Sequence, residues 1–175
     1  ALRNCGMGLI LDVVPNHMSI SSANAWWLDV LETGPSSPFA GYFDIDWHPV
    51  RPDLENKVLL PILEDQYGKV LESGKLRLIY EDGAFSIHYY DTKLPLAPRT
   101  YSRILEKAVE KLDQVLERQN EHFQELLSIL TALSYLPPRT EVSPFKIEER
   151  FREKEIIKRR IVALYGSCSN VRFAI

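Results

Sequence analysis

Gly8-Leu9-Ile10-Leu11-Asp12-Val13-Val14-Pro15-Asn16-His17 sets one carboxylate inside an apolar run and places an amide and an imidazole directly after it. An aspartate there can accept hydrogen bonds, an asparagine can donate and accept, and a histidine can do either while keeping its ring oriented. These are the groups that bind and position a polar substrate. A second cluster, Asp44, Asp46 and His48, would share one face if the segment Phe43 to Pro49 is extended, because alternate side chains then point the same way. Three such groups can hold a metal, but no further ligand lies at a known spacing, and a hydrogen-bonded loop is the preferred reading. Metal is therefore assigned to none of these residues.

The elements that must position these groups follow from periodicity. Leu9 to Val14 is apolar on both faces apart from Asp12, the pattern of a parallel strand covered on both sides, and the flanking Gly6, Gly8 and Pro15 favour a strand over a short helix. Ala1 to Cys5 reads as the last turn of a helix stopped by Gly6. Ser21 to Asn24 offers capping side chains to a short helix from Ala25 to Leu31, which Gly34-Pro35 ends. Short strands are expected at 57–63, 76–80 and 84–90, with Glu81-Asp82-Gly83 joining the last two as a hairpin.

Beyond Pro98 the period becomes helical. Tyr101, Ile104, Leu105, Ala108, Val109, Leu112, Val115 and Leu116 recur at three and four. So do Phe123, Leu126, Leu127, Leu130 and Leu133, after a polar break at Gln119-Asn120. Pro137-Pro138 stops the pattern, and a charged helix is expected from about Phe145 to Tyr165. In it Glu148/Arg152 and Glu155/Arg159 have the spacing of ion pairs, and the basic run Lys154 to Arg160 reads as a solvated face. Val171 to Ile175 is a terminal apolar segment, and the chain reads as cut at both ends.

Composition narrows the function classes. The 175 residues are 45% hydrophobic and 26% charged, enough for a real core. A net charge of −3 leaves no electrostatic footprint for nucleic acid or an anionic membrane, and neither partner is indicated. No apolar run approaches the roughly 20 residues of a membrane span, no signal peptide is recognisable, and the cytoplasm is the expected compartment. Cys5 and Cys168 lie far apart in sequence without a CxxC spacing and are read as free thiols.

One strand covered on both faces needs parallel neighbours, so a barrel strand followed by a long insertion would give this order of elements. In such a barrel, active-site residues leave the carboxyl ends of strands, where Asn16 and His17 stand. Asp12-Val13-Val14-Pro15-Asn16-His17 resembles the signature that closes the third barrel strand in the α-amylase superfamily, glycoside hydrolase family thirteen. The segments Phe43-Asp44-Ile45-Asp46-Trp47-His48-Pro49, Glu55 to Leu63, Asp65-Gln66-Tyr67-Gly68, Tyr80 to Gly83, Leu96 to Tyr101 and Leu136 to Glu141 narrow this further. Together they are similar to the maltooligosyl trehalose synthase family, the (1→4)-α-D-glucan 1-α-D-glucosylmutases.

The resemblance implies an α/β fold, a partial (β/α)8 TIM barrel of the α-amylase type. Residues 1–20 would hold the end of a barrel helix, the third strand and its active-site loop. Residues 21–100 would form an inserted subdomain, and 101–175 a helical segment returning toward the barrel. It implies an intramolecular transglucosylase that converts the reducing-end α-1,4 linkage of a maltooligosaccharide into an α,α-1,1 linkage, with no cofactor. A trehalose-releasing hydrolase would act next. The aspartate nucleophile, glutamate acid/base and stabilising aspartate of its retaining chemistry are expected downstream of Ile175, so the chain alone is expected to be inactive. His17 corresponds to a histidine that hydrogen-bonds glucose at the cleavage subsite, and Asp12 to a carboxylate of the polar network. Asn16 corresponds to a residue that in many amylases ligates calcium, an assignment not carried over here because the remaining ligands cannot be identified. Trp47, Tyr89, Tyr90 and Arg99 are further substrate-binding candidates, since aromatic faces cover pyranose C–H faces and arginine donates paired hydrogen bonds. Trp26-Trp27 is read as helix packing. An α-glucan hydrolase or transferase of the same superfamily, and a noncatalytic carbohydrate-binding module, are the alternatives.

Overall fold

The computed structural model describes residues 2–8, 10–12 and 18–175. Its elements are mixed helix and sheet. Leu2–Cys5 is a turn of 3₁₀ helix ending at Gly6, whose φ of 68° is the left-handed stop expected there. The first long helix, α1 (Ala25–Thr33), starts where the Asn24 side chain accepts hydrogen bonds from the amides of Trp26 and Trp27. It ends at Gly34, whose φ is 70°.

After a loop-rich stretch come a short helix α2 (Tyr67–Glu72) and a three-stranded antiparallel meander of β1 (Leu76–Glu81), β2 (Ala84–Tyr89) and β3 (Thr92–Pro95). The expected hairpin is present. Glu81 pairs with Ala84, and Asp82 and Gly83 make the turn with φ of 48° and 76°. Tyr89 and Thr92 then close the second hairpin, with Tyr90 at a φ of 48° between them.

The C-terminal half is helical. α3 (Tyr101–Leu112) buries Tyr101, Leu105, Ala108 and Leu112, and α4 (Glu121–Tyr135) buries Phe123, Leu126, Ile129 and Leu133. They are two helices, because the 113–120 connection is polar and the Asn120 side chain caps α4 by accepting from the His122 amide at 3.0 Å. α3 therefore ends before the Val115 and Leu116 of the expected stripe. α5 (Pro144–Ser167) and α6 (Ser169–Ala174) close the core with Ile157, Ile161, Leu164, Val171 and Ala174. Phe85 of β2 enters the same core edge-on to Tyr101, and Tyr80 of β1 packs on Tyr165 of α5. The sheet's other face is open, so Leu78, Ile87 and Leu94 line an apolar cleft together with Leu60 and Ile62.

Three sequence expectations are corrected. Residues 57–63 run without regular secondary structure and pair with no strand; β3 is the third strand of the sheet. In the expected strand 9–14, Ile10, Leu11 and Asp12 are not in a strand, and Ile10 is 95% exposed. A strand exists through its ladder, and the sheet formed by the described residues is an antiparallel unit that none of the three joins. Leu9, Val13 and Val14 lie outside the described residues. Finally, the charged face of α5 differs from the expectation. Arg152 pairs with Glu153, the Arg159 guanidinium donates to the Glu155 backbone carbonyl, and Lys154 is buried.

Candidate functional site

Arg150, Lys154, Ile157, Ile161 and Leu164 recur at four, three, four and three, which makes one buried stripe along α5. Its apolar part enters the core, Arg150 donates to the Pro137 carbonyl, and Lys154 faces α1. There Lys154 Nζ donates to Glu32 Oε2 at 3.0 Å and lies 3.6 Å from Asp29 Oδ1. Lys158 Nζ meets Glu32 Oε1 at 2.6 Å, and the Tyr101 hydroxyl donates weakly to the same oxygen at 3.5 Å. Burial works to raise the Glu32 pKa, but the two lysines together outweigh it and hold the carboxyl below its ordinary value. Tyr101 moves the other way, raised by burial and by the Glu32 charge. Asp29 is fixed by Ser37 Oγ, which donates to Oδ2 at 2.6 Å. The network is a structural clamp between α1 and α5. The sequence patterns above single out none of its members as functional. The missed signal was the stripe, since Arg150 and Lys154 continue the Ile157, Ile161, Leu164 row toward the N-terminus of the helix.

Beside this clamp stands Arg139. Its backbone carbonyl accepts from the Ser36 amide at 3.2 Å and the Ser36 hydroxyl at 2.5 Å. Its Nη2 donates to the Asn56 carbonyl at 2.7 Å, and Asn56 in turn donates its amide to the Trp47 carbonyl at 2.9 Å. A Cβ at Gly34 would stand 3.2 Å from Arg139 Cδ, so the turn after α1 seats this side chain closely. Arg139 lines two clefts. One holds Trp47, Asn56 and Lys57, and the other holds Arg99, Thr100 and Arg150.

The sequence candidates distribute unevenly around this frame. Asn16 and His17 lie outside the described residues, and Asp12 is exposed. Trp47 is half-buried and Arg99 exposed, on the two clefts that Arg139 separates. Tyr89 is corrected as a sugar-stacking candidate. It is 3% exposed, and its hydroxyl accepts from the Glu64 amide at 3.1 Å, so its ring is occupied in packing. Its neighbour Tyr90 is exposed, donates to Glu64 Oε2 at 2.9 Å and lies under the Lys75 ammonium. Hydrogen bonds from Lys75 and Tyr90 hold the exposed Glu64 carboxyl below the usual range. The structure thus does not gather the aromatic candidates into one site.

Trp27 packs inward against Phe43 as expected. Trp26 does not. It is 43% exposed and stacks on Phe39 at 5.0 Å and on Tyr42 at 5.3 Å. Those two rings are 6.4 Å from each other, too close to sandwich the indole, so they flank it from one side and leave aromatic surface to solvent. In the loop beyond, Asp46 Oδ1 accepts from the His48 amide at 3.0 Å, the hydrogen-bonded arrangement preferred for that segment.

Comparison with known proteins adds a likeness that geometry alone does not supply. Two curated relatives, from two strains of Mycobacterium tuberculosis, each bear the name "Putative maltooligosyl trehalose synthase" and are 40% identical to this chain over 100 residues. The matched stretch covers 56% of the chain and 12% of each relative, so the chain spans a small part of their length. No protein-family profile matches the chain, and no solved structure is detectably similar. No helix among the described residues is long and apolar enough to cross a membrane.

Proposed function

We propose that the polypeptide carrying this chain is a glucosylmutase of the maltooligosyl trehalose synthase type, an isomerase acting on maltooligosaccharides in the cytoplasm. The observation that carries this reading is the 40% identity over 100 residues to relatives bearing that name. The Asp12-Val13-Val14-Pro15-Asn16-His17 segment supports it through its resemblance to a short signature of the α-amylase superfamily. In this reading His17 anchors a glucose hydroxyl at the cleavage subsite, Asp12 and Asn16 complete the polar network around it, and the carboxylates that break and form the glycosidic bond are supplied by other parts of the protein. The described residues contribute the scaffold. The Glu32 clamp fixes the 21–100 region to the helices, and exposed aromatic surface at Trp26 and Tyr90 offers faces on which a glucan chain can lie.

Incubation of the intact protein with maltopentaose tests the reading. Loss of reducing ends without matching glucose release is the expected result, and His17→Ala should remove most of that turnover. Rising reducing ends would mean hydrolysis and would overturn the glucosylmutase assignment. Binding of maltopentaose with no turnover would leave a carbohydrate-binding module and overturn it equally.

A further inference from the structure

Pro98-Arg99-Thr100 and Pro138-Arg139-Thr140 repeat the same three residues in the same order, one immediately before α3 and the other shortly before α5. The fold brings the two copies together. Ala97, Arg99, Thr100, Pro138 and Arg139 line one cleft of about 350 Å³, and Arg150 from α5 completes it. Three guanidinium side chains therefore share a cleft whose lining contains no acid.

Arg150 is 1% exposed, and its Nε is buried with no hydrogen-bond partner. Its Nη1 donates to the Pro137 carbonyl, the one acceptor the guanidinium meets among the described residues. Burial pushes its pKa down. Glu32 works against that, while the charges of Arg99 and Arg139 add to it. Glu32 is already shared between Lys154 and Lys158, so it does not neutralise the cleft. Arg139 spends Nη2 on the Asn56 carbonyl, and the Thr100 hydroxyl donates to the Ala97 carbonyl at 2.6 Å. Arg99 is exposed, and its side chain meets no acceptor among the described residues. Guanidinium forks left with free donors, converging without a carboxylate, are matched by an oxyanion with several acceptor oxygens and more than one charge.

We propose that this cleft binds a phosphate group, and that its size admits the small organic body of a phosphomonoester such as a sugar phosphate. The site is independent of the glucosylmutase reading, because it is measured by binding without turnover. Thr100 is held by Ala97, so Arg99, Arg139 and Arg150 carry the recognition. A monocarboxylate or chloride fills the charge less completely and binds more weakly.

The test is isothermal titration of the intact protein with inorganic phosphate and, separately, with glucose 6-phosphate, against sodium chloride of matched ionic strength. Saturable one-site binding is expected, weakened about tenfold or more by Arg99→Gln, since a hydrogen bond to a charged group contributes on that scale. Arg99 is exposed and its replacement leaves the fold intact, whereas Arg139→Gln removes a donor that also holds the 47–57 loop. Tighter binding of glucose 6-phosphate than of phosphate would mean that the sugar body occupies the cleft. Equal binding would mean that the phosphate group alone is read, and both results support the site. Absence of saturable binding above chloride, or binding unchanged in both Arg99→Gln and Arg139→Gln, would overturn it. Competition by excess maltopentaose would also overturn it, by returning the cleft to the glucan.

Discussion

Replacing Glu32 by glutamine tests the idea that one buried carboxylate ties α1 to α5. The substitution keeps the shape and removes the charge that Lys154 meets at 3.0 Å and Lys158 at 2.6 Å. Lys158 has some solvent access and can swing its ammonium outward, but Lys154 is 4% exposed and would keep only the longer contacts to Asp29, at 3.6 Å, and Glu155, at 3.8 Å. Removing one partner of a buried pair costs about 3–5 kcal/mol, and the escape open to Lys158 places this case near about 3 kcal/mol. For a chain of this size that lowers the midpoint of thermal unfolding by about 6–12 °C. Urea denaturation monitored by tryptophan fluorescence measures it, with Trp26 and Trp27 sitting on α1 itself. The direction with pH is a second readout. Because the lysines depress the folded-state pKa of Glu32, its contribution is present above its ordinary pKa of 4.5 and is lost as pH falls through the lower folded value. The gap between the wild-type protein and Glu32→Gln should therefore be constant near neutrality and close in acid below pH 4.5. A loss under about 1 kcal/mol, the scale of a surface ion pair, would refute the clamp.

Other substitutions probe the frame around it. Gly83→Ala should cost about 2–4 kcal/mol in the same denaturation assay, because the residue is left-handed and its Cβ would clash with the Lys158 carbonyl oxygen. Asn24→Ala should cost about 1 kcal/mol by removing the cap of α1, with a loss of helix signal in circular dichroism. Tyr89→Phe should cost about 1–3 kcal/mol through the Glu64 amide it leaves unpaired, and hydrogen exchange at that amide should quicken.

Most of the secondary structure was legible where one local rule acted alone. Asp82-Gly83 named the hairpin, Asn24 and Gly34 bracketed α1, and the three-and-four spacing of Tyr101, Leu105, Ala108 and Leu112 marked α3. The losses occurred where tertiary context decides. Residues 57–63 form a short apolar run that reads as a strand, yet lie beside the open sheet face as an unpaired segment instead of joining a ladder. Lys154 and Lys158 look like surface charges until Glu32, more than a hundred residues earlier, is brought to them by the fold. The substrate-binding reading of the first residues came from a resemblance in sequence. Of its three residues only Asp12 falls within the described ones, and it is exposed. Tyr89 and Tyr90 are adjacent in sequence and opposite in fate, because Tyr89 ends β2 facing inward while Tyr90 sits in the left-handed turn that follows, a difference composition does not reveal.

The seat of Gly83 against α5 bears on how this chain can be altered. The tip of a β-hairpin is ordinarily where added sequence is best tolerated, because it projects into water. Here the tip abuts the Lys158 carbonyl and the Val162 side chain, so a tag, an epitope or an inserted domain placed between Asp82 and Gly83 would pry the sheet from the helix that supports it. The connection between α3 and α4 offers the opposite setting, with Glu117, Arg118 and Gln119 all exposed and no strand on either side. A reporter joined there would leave the hairpin seated and the helical core closed.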